Sequence, residues 1–344
     1  MIRRFRMPGV RRALRLKSRS AYFLSPSKEV EYVHSGAAVL DCVLGGGWAL
    51  GRIANIVGDK SSGKTLLAIE LCVNFKRLFP TSKIRYVEPE ASFDKSYAAA
   101  LGMPVEDVEF AEDIETVEEL FEDMQDVATS LNKNQPCLYI LDSLDSLSDK
   151  AEMARGISES TMGMSKPKQL GQLFRRLVRK IRSKRMLVII ISQVRDNIGV
   201  AFGERHTRSG GRALDFYASQ ILWLAQTGTI RRVVNKVTRV VGVTIKAKCK
   251  KNKVGLPHRG CDFEIKFGYG VDDLAANIKF LRDTKRLSLL QIGMNEDGVR
   301  RYLDRLDSLT PESLAEHRKK IDLAVREAWK SIEKDFLPTR KKYE

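Results

Sequence analysis

Long apolar runs are missing from this sequence. The longest, Met186 to Ile191, is strand-sized, well short of the roughly 20 residues that a helix needs to cross a bilayer. A membrane span is therefore not expected. No apolar stretch follows the N-terminal charges, so a secretory signal is not expected either. Cysteine is sparse and unpatterned: Cys42, Cys72, Cys137, Cys249 and Cys261 are odd in number and scattered. They read as buried thiols in a reducing compartment and argue against a disulfide framework. No CxxC occurs and the four histidines lie far apart, which argues against a zinc site. No internal repeat or low-complexity segment stands out. Acid is missing from two stretches: residues 1–28, and everything between Asp215 and Asp262.

What is present is a folded composition with a strong charge bias. The 344 residues are 43% hydrophobic and 30% charged, enough for a sizeable core. Sixty Lys and Arg against 43 Asp and Glu leave a net charge of +17, which suggests a polyanionic partner such as nucleic acid. The charges are unevenly spread. Residues 1–28 carry nine bases, residues 84–129 fourteen acids against two bases, and residues 166–208 twelve bases against two acids. Arg231 to Arg259 carries ten bases. Solvated helix faces are the plain explanation; two long acid-poor stretches in patterned sequence favour a surface built for phosphates.

Residues 1–30 read as a basic arm ending at Ser25-Pro26-Ser27. From about 31 to 271, strand-like runs alternate with amphipathic helices. Ile53–Val57, Ile84–Glu88, Cys137–Asp142, Met186–Ser192 and Ile221–Ala225 are short and mostly apolar, as strands covered on both faces are. Leu170, Leu173, Phe174, Leu177 and Ile181 recur at helical spacing, with Arg175, Arg176, Arg179, Lys180 and Arg182 on the other face. This order predicts an α/β fold with a central, mostly parallel twisted sheet flanked by helices. Val241–Ala247 and Cys261–Phe267 read as antiparallel strands around a Lys-rich turn. Residues 272–344 read as a small helical C-terminal domain, with Thr310 capping and Pro311 opening a last helix to about Phe336.

Gly58-Asp59-Lys60-Ser61-Ser62-Gly63-Lys64-Thr65 has the P-loop spacing, between the strand Ile53–Val57 and the helical run opened by Leu66. The glycines let successive backbone N–H groups face a phosphate, and the helix adds its positive end. Lys64 can reach β- and γ-phosphates, and the Thr65 hydroxyl can hold Mg²⁺. Asp142, ending an apolar strand, is the expected carboxylate on the Mg²⁺ side. Glu90 and Gln193 follow other strands, where side chains enter a ligand crevice. A carboxylate there can activate water and an amide can sense the γ-phosphate. Spacing alone leaves both as ordinary loop residues, with Glu88 as a competing carboxylate.

From about Ser35 to Val271 the string of motifs resembles the bacterial RecA recombinase family. The resemblance rests on Leu44-Gly45-Gly46-Gly47, the P-loop, Glu88-Pro89-Glu90-Ala91-Ser92-Phe93-Asp94 and Leu141-Asp142-Ser143-Leu144. It continues through Ser192-Gln193-Val194-Arg195, Ser209-Gly210-Gly211-Arg212-Ala213-Leu214, Phe216-Tyr217-Ala218-Ser219 and Lys251-Asn252-Lys253. It implies a RecA-like ATPase core that binds ATP and Mg²⁺ between adjacent subunits of a helical filament. Gly58 to Leu66, Asp142 and the catalytic Glu90 would act from one side, Lys251 and Lys253 from the other, and Gln193 would couple the γ-phosphate to DNA. Two DNA-binding loops are implied, about 152–168 and 194–212. Met162 and Ile198 match apolar wedges between base triplets. Gly163 belongs to the first loop, and Arg175, Arg195, Arg208, Gly210, Gly211 and Arg212 are the further DNA candidates. Phe216 is implied to pack into a neighbouring protomer; read by itself it is a core residue.

The chain departs from the family at both ends. Residues 1–28 are Arg-rich where the family has an oligomerisation helix, and the last residues are basic where an acidic tail is common. A divergent member, in a bacterial or phage-infected cytoplasm, is the expectation; a mitochondrial transit peptide is the alternative reading of 1–28. The implied function is a DNA-dependent ATPase that forms a filament on single-stranded DNA, then pairs it with duplex DNA and exchanges strands. A ring motor or helicase and a non-hydrolysing regulatory paralogue are the alternatives.

Overall fold

The apolar runs lie side by side as strands, and the segments between them fold back as helices. The computed structural model describes residues 30–154, 165–196, 206–208, 210–292 and 296–340. β1 (Tyr32–Val33) and β2 (Trp48–Ala49) form a small ribbon around α1 (Ala38–Leu44). The alternating part then runs β3 (Ile53–Gly58), α2 (Lys64–Leu78), β4 (Lys83–Val87), α3 (Lys95–Ala100), β5 (Val108–Ala111), α4 (Val117–Ser130) and β6 (Cys137–Leu141). It continues through α5 (Lys150–Met153), α6 (Ser165–Ser183), β7 (Met186–Asp196), β8 (His206–Arg208) and α7 (Gly211–Tyr217). The antiparallel strands β9 (Gln220–Val234), β10 (Val237–Asn252), β11 (Arg259–Lys266) and β12 (Gly270–Val271) follow, then α8 (Asp273–Asp283), α9 (Glu296–Asp307) and α10 (Pro311–Asp335).

The sheet order is β12-β11-β10-β9-β3-β7-β6-β4-β5, with β8 on the end of β7. From β9 to β5 every neighbouring pair is parallel; from β9 to β12 every pair is antiparallel. Alternate residues serve opposite faces. Ala54, Ile56, Tyr86, Ile140 and Ile189 join α1, α2, α8 and α10 in one apolar cluster; Ile53, Val57, Tyr139, Leu141 and Val188 join α4, α6 and α7 in the other. Each fully buried Leu, Ile or Phe in these layers contributes about 2 kcal/mol. The α6 stripe Leu170, Leu173, Phe174, Leu177 and Ile181 is buried as its spacing predicts. Ion pairs pin α10 to this body: Arg326 to the buried Asp41 at 2.7 Å, and Arg259 to Glu333 through two hydrogen bonds of 2.5 and 2.6 Å. Among the described residues no helix is long and apolar enough to cross a membrane.

Three boundaries differ from the sequence reading. The strands expected at Ile221–Ala225 and Val241–Ala247 run much further, as one long hairpin. Its turn is Asn235-Lys236, both at positive φ, which suits a tight hairpin without the glycine that usually marks one. Both ends of the stretch 152–168 are helical, since Asp149 caps α5 through the Glu152 N–H and α6 already begins at Ser165. The stems of 194–212 are ordered too: Val194, Arg195 and Asp196 pair with Arg208, Thr207 and His206.

Candidate nucleotide and nucleic-acid site

Parallel pairing brings the C-terminal ends of β3, β7, β6 and β4 into one row. Gly58 lies beside Gln193, Leu141 beside Ile190, and Val87 beside Leu141. The P-loop, Gln193, Asp142 and the segment Glu88–Glu90 therefore share one edge of the sheet. The loop is tightly cut. A Cβ at Gly58 would sit 2.3 Å from Ser62 Oγ and 2.9 Å from the Leu224 carbonyl; Gly63, at φ +85°, faces the Ile265 side chain at 2.3 Å. Gly63 is the N-cap of α2, so the first free N–H groups of this 15-residue helix open into the crevice. Asp59, Lys60 and Ser61 are exposed, and Ser62 and Leu66 are buried.

Lys64 closes the loop on itself, donating from Nζ to the Asp59 carbonyl at 2.7 Å. Burial lowers its pKa, opposed by Asp142, Asp59, Asp145 and Glu90. A phosphate beside it would act in the same direction as these carboxylates. Thr65 Oγ1 donates to Asp142 Oδ2 at 2.7 Å, and the Tyr86 hydroxyl donates to the same oxygen at 2.9 Å. Burial raises the Asp142 pKa, with Thr65 and Tyr86 pulling it down. A hydroxyl and a carboxylate in contact form a hard-oxygen pair. That set fits Mg²⁺, which takes few protein oxygens and completes its shell with phosphate and water.

The two competing glutamates are sorted by their partners. Glu88 is buried and accepts from Ser92 N and Oγ, so it holds its own turn. Glu90 is exposed to the crevice, and its Oε1 accepts from Ser143 Oγ at 2.8 Å and Ser146 Oγ at 2.7 Å. Asp145, between those serines, accepts the Gln193 N–H at 2.7 Å. One short turn, Leu144–Ser146, thus touches both Glu90 and the Gln193 backbone.

Lys251 and Lys253 lie elsewhere. Lys251 pairs with Ile221 at the start of β9, and Lys253 N bonds to Ser219, whose N–H bonds to Ile53 at the start of β3. The P-loop leaves from the other end of that strand, about 15–20 Å away. Both ammonium groups donate to the α7 backbone of their own chain, Lys251 to Asp215 O and Phe216 O, Lys253 to Phe216 O at 2.7 Å. Burial and the charge of Lys253 push the Lys251 pKa down to about 8.

Residues 20–272 match the family model of the RecA N-terminal domain. The chain is 31% identical over 307 residues to Protein RecA of Arthrospira platensis, covering 88% of this chain and 80% of that protein. It is 30% identical over 319 residues to Protein RecA of Caulobacter vibrioides, covering 90% and 84%. The chain belongs to the RecA family. Its family function is DNA recombination and repair.

In this RecA-family chain the nucleic-acid candidates are scattered. Arg175 and Arg212 are exposed, on α6 and α7. Gly210 is buried at the N-cap of α7 at φ +82°, where a Cβ would meet Leu214 and Leu144; Gly211 follows with open space around it. Arg208 is buried, its Nη2 2.6 Å from Asp215 Oδ1, so its charge is engaged within the chain. Met162, Gly163 and Ile198 lie outside the described residues. Phe216 is 69% exposed, which removes the core reading. Sequence reasoning missed Tyr86, Asp145, Ser143 and Ser146 as neighbours of the site. Their sole signal was position, beside the apolar strands that carry Glu88 and Asp142.

Proposed function

We propose that this RecA-family chain is a DNA-dependent ATPase that assembles as a helical filament on single-stranded DNA and carries out homologous pairing and strand exchange with duplex DNA. The observation that carries this reading is the separation of the two cation sets. Lys64 stands at one end of β3, and Lys251 and Lys253 stand near its other end, beside the exposed Phe216. A second copy stacked on the first brings its lysines to the nucleotide that the first copy lacks the reach to complete. The nucleotide then controls the seam.

In the P-loop, backbone N–H groups and Lys64 would hold the triphosphate, and Thr65 and Asp142 would hold Mg²⁺, which when bound would supply charge neutralisation. Ser143 and Ser146 fix Glu90 so that its free carboxylate oxygen can take a proton from the attacking water. Gln193, on a strand that continues into the second DNA loop, carries the state of the γ-phosphate to the DNA. Gly210, Gly211, Arg195, Arg175 and Arg212 bind phosphates, and Met162 and Ile198 part the bases. Pairing is read by base complementarity, so no sequence preference is expected.

Subunit mixing tests this reading. Lys64→Ala and Lys251→Ala should each abolish ATP turnover alone. Mixed, they should regain part of it, because some seams join an intact P-loop to an intact Lys251. No recovery on mixing, or normal turnover by either variant alone, contradicts a shared site. Glu90→Gln should bind ATP and DNA while turnover falls by roughly 10²-fold or more; normal turnover assigns the base elsewhere.

A further inference from the structure

Tyr86 carries a hydroxyl that its place in the core does not call for. It lies on β4, in the apolar layer shared with Ile56, Ile140, Ile189 and α2, and it is fully buried. Its ring packs on Phe93 and Phe110, with centroids 4.8 and 5.7 Å away. A phenylalanine would fill that space equally. A buried phenol hydroxyl is tolerated where it finds a hydrogen-bond partner. Among the described residues this one has Asp142 Oδ2, at 2.9 Å.

Parallel pairing explains the reach. Tyr86 lies beside Ile140 and Val87 beside Leu141, and the Asp142 N–H donates to the Val87 carbonyl at 2.9 Å. Alternate residues of a strand share a face, so Asp142 stands on the side of Ile140, diagonal to Tyr86. Thr65, in the first turn of α2, donates to the same Oδ2 at 2.7 Å. A carboxylate oxygen offers about two acceptor sites. Thr65 and Tyr86 fill those of Oδ2, and Oδ1, which has no donor among the described residues, is left for the shell of an ion. Two donors on one oxygen also fix the rotation of the carboxylate. Thr65 is itself assigned to the ion. Tyr86 is the donor that the core holds still, through Phe93 and Phe110.

We infer that Tyr86 is a positioning residue for the Mg²⁺ carboxylate, orienting Asp142 through Oδ2. The inference rests on the proposed reading of Thr65 and Asp142 as the Mg²⁺ pair. Hydrogen-bond partners that orient a metal ligand set affinity for the ion by about 10- to 100-fold. The test uses the full chain and a fluorescent, non-hydrolysable ATP analogue, titrated in EDTA and across a MgCl₂ series. Tyr86→Phe keeps the ring packing and removes the hydroxyl. In EDTA it should bind the analogue within about twofold of the wild type, and it should need about tenfold more Mg²⁺ to reach half of the Mg²⁺-dependent gain in affinity. In an Asp142→Ala background the same change should add nothing, because the group through which Tyr86 acts is gone. A wild-type Mg²⁺ requirement in Tyr86→Phe, beside a raised one in Asp142→Ala, overturns this inference and leaves the Mg²⁺ pair standing. An equal loss in EDTA and in Mg²⁺ assigns Tyr86 to packing and overturns it too, as does a full further loss in the Asp142→Ala background. If Asp142→Ala itself keeps the wild-type requirement, the reading of the Mg²⁺ pair falls, and this inference falls with it.

Discussion

Glu70 on α2 is a carboxylate committed to one backbone contact. It accepts the Val271 N–H at 2.6 Å, and Gly36 and Gly270 leave room for it: a Cβ on either would fall within 2.6 Å of its oxygens. Burial pushes its pKa up to about 7, against the pull of that N–H. The folded state thus binds its proton more tightly than the unfolded chain. The contribution to stability is fully present below about pH 4.5 and is lost as pH rises through about 7. Glu70→Gln keeps an oxygen for Val271 and removes the titration. Its thermal midpoint should match that of the wild type near pH 4.5 and exceed it above about pH 7. Curves that stay parallel across this window would show that Glu70 does not titrate there.

Among the elements, the turn Leu144–Ser146 joins what the sequence keeps far apart. Ser146 reaches Glu90 across 56 residues of chain, and Asp145 reaches Gln193 across 48. Ser146→Ala leaves Ser143 as the remaining hydroxyl on Glu90 Oε1. Turnover should fall several-fold with KM for ATP unchanged, since the phosphate cradle is untouched; a change confined to KM would place Ser146 in binding. The parallel strands and the P-loop were legible in the sequence because period and spacing are local properties. The hairpin was legible only in part. Its strands alternate cations and valines on both faces, so no buried stripe marks them, and its turn lacks glycine. The contacts that rank Glu90 over Glu88 depend on which strands become neighbours, and spacing does not encode that.

At the scale of the whole molecule, charge and apolar surface are sorted to different ends. The P-loop segment occupies one edge of the sheet; Lys251, Lys253 and the exposed Phe216 are gathered near the other. The helices α8 and α10 share an apolar cluster with α1, β10 and β11. Such a body has two unlike faces, and unlike faces that stack head to tail make open helical assemblies where the rotation does not close into a ring. Phe216 is exposed, so Phe216→Ala should weaken that stacking while leaving the thermal midpoint of the isolated chain unchanged. The most direct measurement is electron microscopy of the Glu90→Gln chain on single-stranded DNA, with ATP and without nucleotide. Regular helical filaments that require ATP are the predicted result. A chain that remains dispersed on the strand with every nucleotide supplied would contradict the account.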